Sequence, residues 1–199
     1  NTFRDVIRRK NMIGYAFCGS FCTVSRSIDV LDSLLSEGIE IQPILSENVY
    51  NTDTRFGKAS DIRKRIESMC ARPVIHTITE AEPIGPKEML DMLVIAPCTG
   101  NTLAKMASGI TDTSVTMAAK SHLRTGRPLV IALATNDAIS SNLQNIAKLV
   151  SKKNIYFVPL YQDDTEKKPN SLVCDFGELK NTMEAAYEER QIQPIFKSK

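Results

Sequence analysis

The chain contains no tryptophan and its aromatic share is only 6%, which leaves few platforms on which bases could stack. Its formal charge is only +2, far from the basic field of a nucleic-acid binder. Nucleic acid is therefore not expected as a partner. Basic residues gather at Arg4, Arg8, Arg9 and Lys10, and again at Arg55, Lys58, Arg63, Lys64 and Arg65. Acidic residues interrupt both groups, and each reads as a solvated helix face. No apolar run approaches the roughly 18 residues of a membrane span, and the first residues lack the apolar core of a secretion signal. A cytoplasmic protein is expected. The five cysteines (Cys18, Cys22, Cys70, Cys98 and Cys174) show no CxxC spacing, so neither a disulfide framework nor a metal site is indicated. Neither GxGxxG nor a P-loop is present, which removes those nucleotide-binding readings.

What is present is an ordinary globular mixture, 42% hydrophobic and 24% charged, in a chain of the size of one large domain spanning 1–199. Apolar runs at 12–18, 39–45, 92–96 and 129–134, with a weaker one at 155–158, read as buried parallel strands. Between them the sequence takes a helical period. At 23–37, Val24, Ile28, Leu31, Leu34 and Leu35 share one face, and Gly38 supplies the stop. Further helices are predicted at 57–70, 103–108, 140–152 and 177–190. Alternating strands and helices predict a doubly wound α/β sheet, a three-layer sandwich of the flavodoxin or Rossmann-like kind. The polar segment 161–170, YQDDTEKKPN, reads as a mobile loop, and residues 1–11 as an arm.

In such sheets ligands bind beyond the carboxyl ends of the strands. After the first run comes Gly19-Ser20, leading into a helix whose free amides and dipole favour an anion. After the second comes Ser46-Glu47-Asn48. After the third comes Cys98-Thr99-Gly100-Asn101-Thr102, again before a helix, and after the fourth Thr135-Asn136-Asp137. Each turn taken alone is equally a plain capped helix start. Four polar strand ends together point to a cleft for one polar, ring-bearing small molecule.

His76 follows the apolar pair Val74-Ile75 and so falls near the same rim, where it would serve as a proton-exchanging group or as a structural histidine. His122 lies between Lys120 and Arg124 and reads as surface. Cys98 is either a thiol activated by the helix start or a small packing residue. Asp137 is either a carboxylate base or a helix cap, and the cap is the preferred reading.

The stretch DMLVIAPCTGNTLAKMASGITD, residues 91–112, resembles the signature of the flavin mononucleotide (FMN)-binding flavoproteins. These include the phosphopantothenoylcysteine and peptidyl-cysteine decarboxylases and the flavin prenyltransferases. In that family a strand ends in a Pro-Ala-Ser-Ala-Asn-Thr type motif, followed by a helix and Gly-Ile-x-Asp, matched here by Pro97 to Thr102 and Gly109 to Asp112. The resemblance implies FMN as cofactor, its phosphate at Gly19-Ser20, with Ser46, Cys98, Thr99, Gly100, Asn101 and Thr102 completing the site. It places His76 near the family's catalytic histidine and Asn136 against substrate. Thr135-Asn136-Asp137 stands where the cysteine decarboxylases carry Pro-x-Met-Asn, which disfavours a cysteinyl substrate. The resemblance further implies two-electron oxidation of a small acid with a dehydrogenase-like partner protein, on which NADP would sit, and a trimer or dodecamer of this chain. Two alternatives stand: a flavin-dependent decarboxylase of another acid, and a cofactor-free accessory subunit.

Overall fold

The computed structural model describes residues 12–55 and 57–198; the expected arm at 1–11 lies outside the described residues. The apolar runs become β1 (Met12–Phe17), β2 (Glu40–Leu45), β3 (Met92–Cys98), β4 (Leu129–Thr135) and β5 (Ile155–Phe157). Every residue of β3 and all but the last of β4 are buried, as parallel strands covered on both faces must be. These five lie parallel in the order β2-β1-β3-β4-β5. β1, the first described strand, lies inside the sheet; from it the chain steps out to β2 and crosses back to β3, so the winding reverses between β1 and β3. A crevice opens at the carboxyl ends of those two strands.

The doubly wound α/β architecture is the one expected, but the sheet is mixed rather than all parallel. β7 (Leu172–Cys174) runs antiparallel to the end of β4, pairing Val173 with Ala134, and β6 (Leu160–Tyr161) pairs with β7. β4 therefore forks, its first half bonded to β5 and its last residues to β7. Strands of two and three residues are too short to show a period in sequence. Pro97, which has no N–H to give the ladder, falls where the register between β3 and β4 shifts.

α1 (Phe21–Ser36) buries Val24, Ile28, Leu31 and Leu34 on one face of the sheet. Gly38, at φ +80°, takes the left-handed turn that ends it. Tyr15 on β1 donates to Ser27 O at 3.0 Å and Ser27 Oγ donates to Ala96 O at 2.5 Å, so α1 is fastened across β1 and β3. α2 (Glu47–Asn51) and α3 (Ala59–Cys70) follow the β2 edge and α4 (Ile78–Ala81) packs on α6 (Ser114–Leu123), while α5 (Gly100–Ser108), α6 and α7 (Leu143–Val150) cover the other face. α8 (Leu179–Tyr187) packs beside α1, to which Lys180 is tied by an ion pair with Glu37 at 2.6 Å.

His122 is not a surface residue: it is fully buried in α6, and its Nε2 lies 2.9 Å from Pro128 O. The segment 161–170 follows β6 as a bonded turn, with Lys167 N donating to Asp164 Oδ1 and Gln162 to Pro169 O.

Candidate functional site

Three of the four polar strand ends meet in one cleft of about 360 Å³ at the point where the winding reverses, lined by Cys18, Gly19, Ser46, Glu47, Asn48, Thr99, Asn101, Thr102, Lys105, Asp112 and Thr113. A larger hollow, about 820 Å³, lies beside the 161–170 turn. Its wall carries Asp163, Asp164 and Glu166 against one cation, Lys197, an excess of negative charge, whereas the smaller cleft sits where a doubly wound sheet presents helix amides.

The hydroxyls of the cleft fall into two kinds. Ser46 Oγ accepts from Val49 N at 3.4 Å and Thr99 Oγ1 accepts from Thr102 N at 3.3 Å, so both already cap their helices. Ser20, which adjoins the cleft at Gly19 without lining it, is different: it occupies the N-cap position of α1 but makes no capping bond, and its Oγ instead accepts from Thr23 Oγ1 at 2.9 Å. The amides of Phe21 and Cys22 lie ahead of the intrahelical ladder and point out of the helix start. A 16-residue helix with an open first turn favours an anion there by both amides and dipole. At Gly19 a side chain would place its Cβ 3.3 Å from the Phe21 ring and 3.7 Å from Asn48 Cβ, so glycine keeps the approach clear. This donor set fits a phosphate.

The mouth carries one cation, Lys105, and two carboxylates, Glu47 and Asp112. Lys105 Nζ pairs with Asp112 Oδ1 at 2.9 Å, and Glu47 Oε1 accepts from Ser114 N at 2.8 Å, anchoring α2 to the start of α6. Below the floor, Thr102 Oγ1 lies 3.3 Å from Cys18 Sγ. Burial pushes the Cys18 thiol up to about 11, so it stays protonated at neutral pH.

A family model described as Flavoprotein matches residues 5–189 of this chain. The chain belongs to the Flavoprotein family. It is 44% identical over 183 residues, 92% of each chain, to the B subunit of dipicolinate synthase from Bacillus subtilis (strain 168). The crystal structure of the B subunit of dipicolinate synthase from Bacillus halodurans superposes with a TM-score of 0.86 at 40% identity, covering 95% of this chain and 97% of that one. DmrB of Burkholderia xenovorans in complex with FMN, 19% identical, matches in fold with a TM-score of 0.67 over 89% of this chain and 95% of its own.

Against the flavoprotein motif, the remaining candidate residues separate. Cys98 is fully buried beneath the cleft, its thiol pushed well up by burial, which suits packing and not nucleophilic attack. Gly100 turns away from the cleft: a Cβ there would come within 2.6 Å of Thr135 Oγ1, 2.7 Å of Asn142 Nδ2 and 2.8 Å of Asp137 Oδ1. The fourth strand end thus closes on the back of the motif, with Asp137 Oδ1 taking hydrogen bonds from Thr135 at 2.5 Å and Asn142 at 3.0 Å. Asn136 is exposed on this loop and does not line the cleft.

His76 stands past Ile75, which bridges to Ile44 of β2, so it does reach the carboxyl rim. Its ring stacks on Tyr50 of α2 at 3.8 Å between centroids. The same short helix therefore presents Glu47 and Asn48 to the cleft and Tyr50 to His76. Strand-end reasoning brings in Glu47 with Ser46 and Asn48, but sequence alone does not single out Lys105, Asp112 or Tyr50 as site residues. Lys105 and Asp112 are visible in the family motif at a spacing of seven; Tyr50 requires the position of α2, too short to show a period.

Proposed function

We propose that this chain is the flavoprotein-like subunit of a dipicolinate synthase and that it holds FMN in the cleft between the ends of β1 and β3. With the dehydrogenase-like A subunit it would oxidise a dihydrodipicolinate-type acid to dipicolinate, in the mother cell of a sporulating bacterium. The single observation that carries this reading is the meeting of three polar strand ends at the winding reversal, in front of an uncapped α1. Gly19, Ser20 and the first amides of α1 would take the phosphate; Ser46, Asn101, Thr99 and Thr102 would line the remainder. A bound flavin supplies a hydride acceptor, and the protein's part is placement and proton handling. His76 would face the substrate from the rim, Asn136 would take no part because it lies outside the cleft, and NADP would belong to the A subunit. The 44% identity to a protein of this name supports the assignment. The chain would form a homo-oligomer, a trimer or dodecamer, and exposed apolar side chains such as Ile110 and Leu143 are compatible with self-association.

A second reading, a cofactor-free accessory protein that activates the A subunit, draws on the packing at Gly100, where the β4 loop already fills the space behind the motif. One experiment separates the two. Purify the chain, record its visible spectrum with FMN, and assay dipicolinate formation with the A subunit, using Gly19→Val to fill the phosphate approach. The flavoprotein reading expects a yellow chromophore and loss of both binding and activity in the variant. Colourless protein together with full activity of Gly19→Val overturns it in favour of the accessory reading.

A further inference from the structure

The ring of His76 is held by two groups, one on its face and one at its Nδ1 edge. Tyr50 stacks on it with an interplanar angle of 10°, and Arg63 in turn lies over the Tyr50 ring at 4.7 Å. Glu80 completes the arrangement. Its Oε2 accepts from His76 N at 2.9 Å and from Thr77 N at 3.1 Å, closing the capping box of α4, and the same oxygen lies 3.1 Å from His76 Nδ1. Those amide bonds, the one from His76 N first, keep the Glu80 carboxyl below its usual range, so it is anionic near neutral pH.

Nδ1 is shut off from solvent and has no aligned hydrogen-bond partner, while the side chain as a whole is 28% exposed. The open edge of the ring is therefore the one away from Nδ1. A bare nitrogen lone pair 3.1 Å from a carboxylate oxygen is repelled by it; an N–H at the same place is attracted. Which nitrogen of a neutral imidazole carries the proton follows from what the other faces. We infer that Glu80 is the positioning residue for His76: its carboxylate fixes the imidazole as the Nδ1–H tautomer and leaves the Nε2 lone pair at the open edge as the proton-accepting atom. The inference deepens the reading of His76 as a substrate-facing group, and its use in the reaction rests on that reading.

The chain has only two histidines, and the second supplies an internal reference. His122 Nε2 faces Pro128 O at 2.9 Å, and a carbonyl oxygen only accepts, so His122 is the Nε2–H tautomer. The two rings should thus be opposite tautomers in one protein. Two-bond proton–nitrogen correlation spectra of the full chain, at a pH where the titration of the same signals shows both rings neutral, read this directly. The expected result is a pyridine-type nitrogen at Nε2 of His76 and at Nδ1 of His122. In Glu80→Gln, which keeps the capping-box side chain and removes the charge, the His76 pattern should average or reverse while His122 is unchanged. A wild-type His76 with a pyrrole-type Nε2, or a wild-type pattern that survives Glu80→Gln, overturns the inference. The functional reading is tested separately by His76→Gln in the presence of the A subunit. Full dipicolinate formation there defeats the catalytic use of His76 without touching the tautomer result.

Discussion

Thr102 Oγ1 lies 3.3 Å from the sulfur of Cys18, a contact between residues 84 apart in sequence that ties the first turn of α5 to the end of β1. With the bond from Cys18 N to Pro97 O at 3.1 Å, it joins the two strand ends that frame the cleft. Thr102 also receives from Thr99 Oγ1 at 3.1 Å, so the hydroxyls of the motif and the thiol of the first strand form one buried chain. Thr102→Val keeps the volume and removes the oxygen. The expected loss is about 1 kcal/mol of stability, read as a lower urea midpoint with an unchanged slope; an unchanged midpoint would show that the contact is idle.

Gly100 meets the β4 loop at distances no side chain tolerates. Gly100→Ala should cost about 1–3 kcal/mol by overpacking, because the atoms in its way are held by their own hydrogen bonds. Asp137→Gly removes one of them, and the double variant should recover part of the loss, a coupling measurable by denaturation of all four proteins. Strict additivity would place the strain elsewhere.

Lys105 is neutralised by Asp112 at the mouth of the cleft. Asp112→Asn leaves an uncompensated cation facing the site, and FMN binding should tighten about threefold to tenfold, an effect that shrinks as salt is raised. Lys105→Met should weaken binding by a similar factor. Fluorescence titration of FMN at two ionic strengths checks both; no change in either variant would remove Lys105 from the phosphate's surroundings.

Burial of His122 lowers its proton affinity from an ordinary value near 6.5 to about 4. Between those values the unfolded chain binds a proton that the folded chain excludes, so stability rises with pH through this window. The contribution is complete above about pH 6.5 and falls by roughly 3 kcal/mol on descending to about pH 4. His122→Gln keeps a donor toward Pro128 and has nothing to protonate. Its urea midpoint should depend less steeply on pH than that of the parent over this range; parallel curves would mean that His122 titrates alike in both states.

Much of the fold was legible because parallel strands buried on both faces leave uninterrupted apolar runs; β1, β2 and β4 begin or end within one residue of those runs. The antiparallel β6 and β7 left no such trace, since their hydrogen bonds to β4 and to each other, not their side chains, define them. His122 was misjudged from its neighbours Lys120 and Arg124, although Val115, Ala118, Ala119 and His122 fall on one helical face and all four are buried. The periodicity held that signal; local charge obscured it. Thr77 and Glu80 formed a legible capping box that would have located α4, and with it the residue that faces His76. At the site, Gly19, Ser46, Thr99, Asn101 and Thr102 converge as strand-end reasoning implies. Gly100 and Asn136 do not line the cleft, because the β4 strand end folds behind the motif and its helix begins only at Leu143.

The central claim is that the open start of α1 beside Gly19 and Ser20 binds the phosphate of a flavin. The direct measurement is a paired titration of the purified chain with FMN and with riboflavin, which differ only in that phosphate. Hydrogen bonds to a charged group contribute about 1.5–3 kcal/mol each, so FMN should bind at least tenfold more tightly than riboflavin, with the difference lost in Gly19→Val. Equal affinities, or neither flavin binding more tightly than about 1 mM, would contradict it.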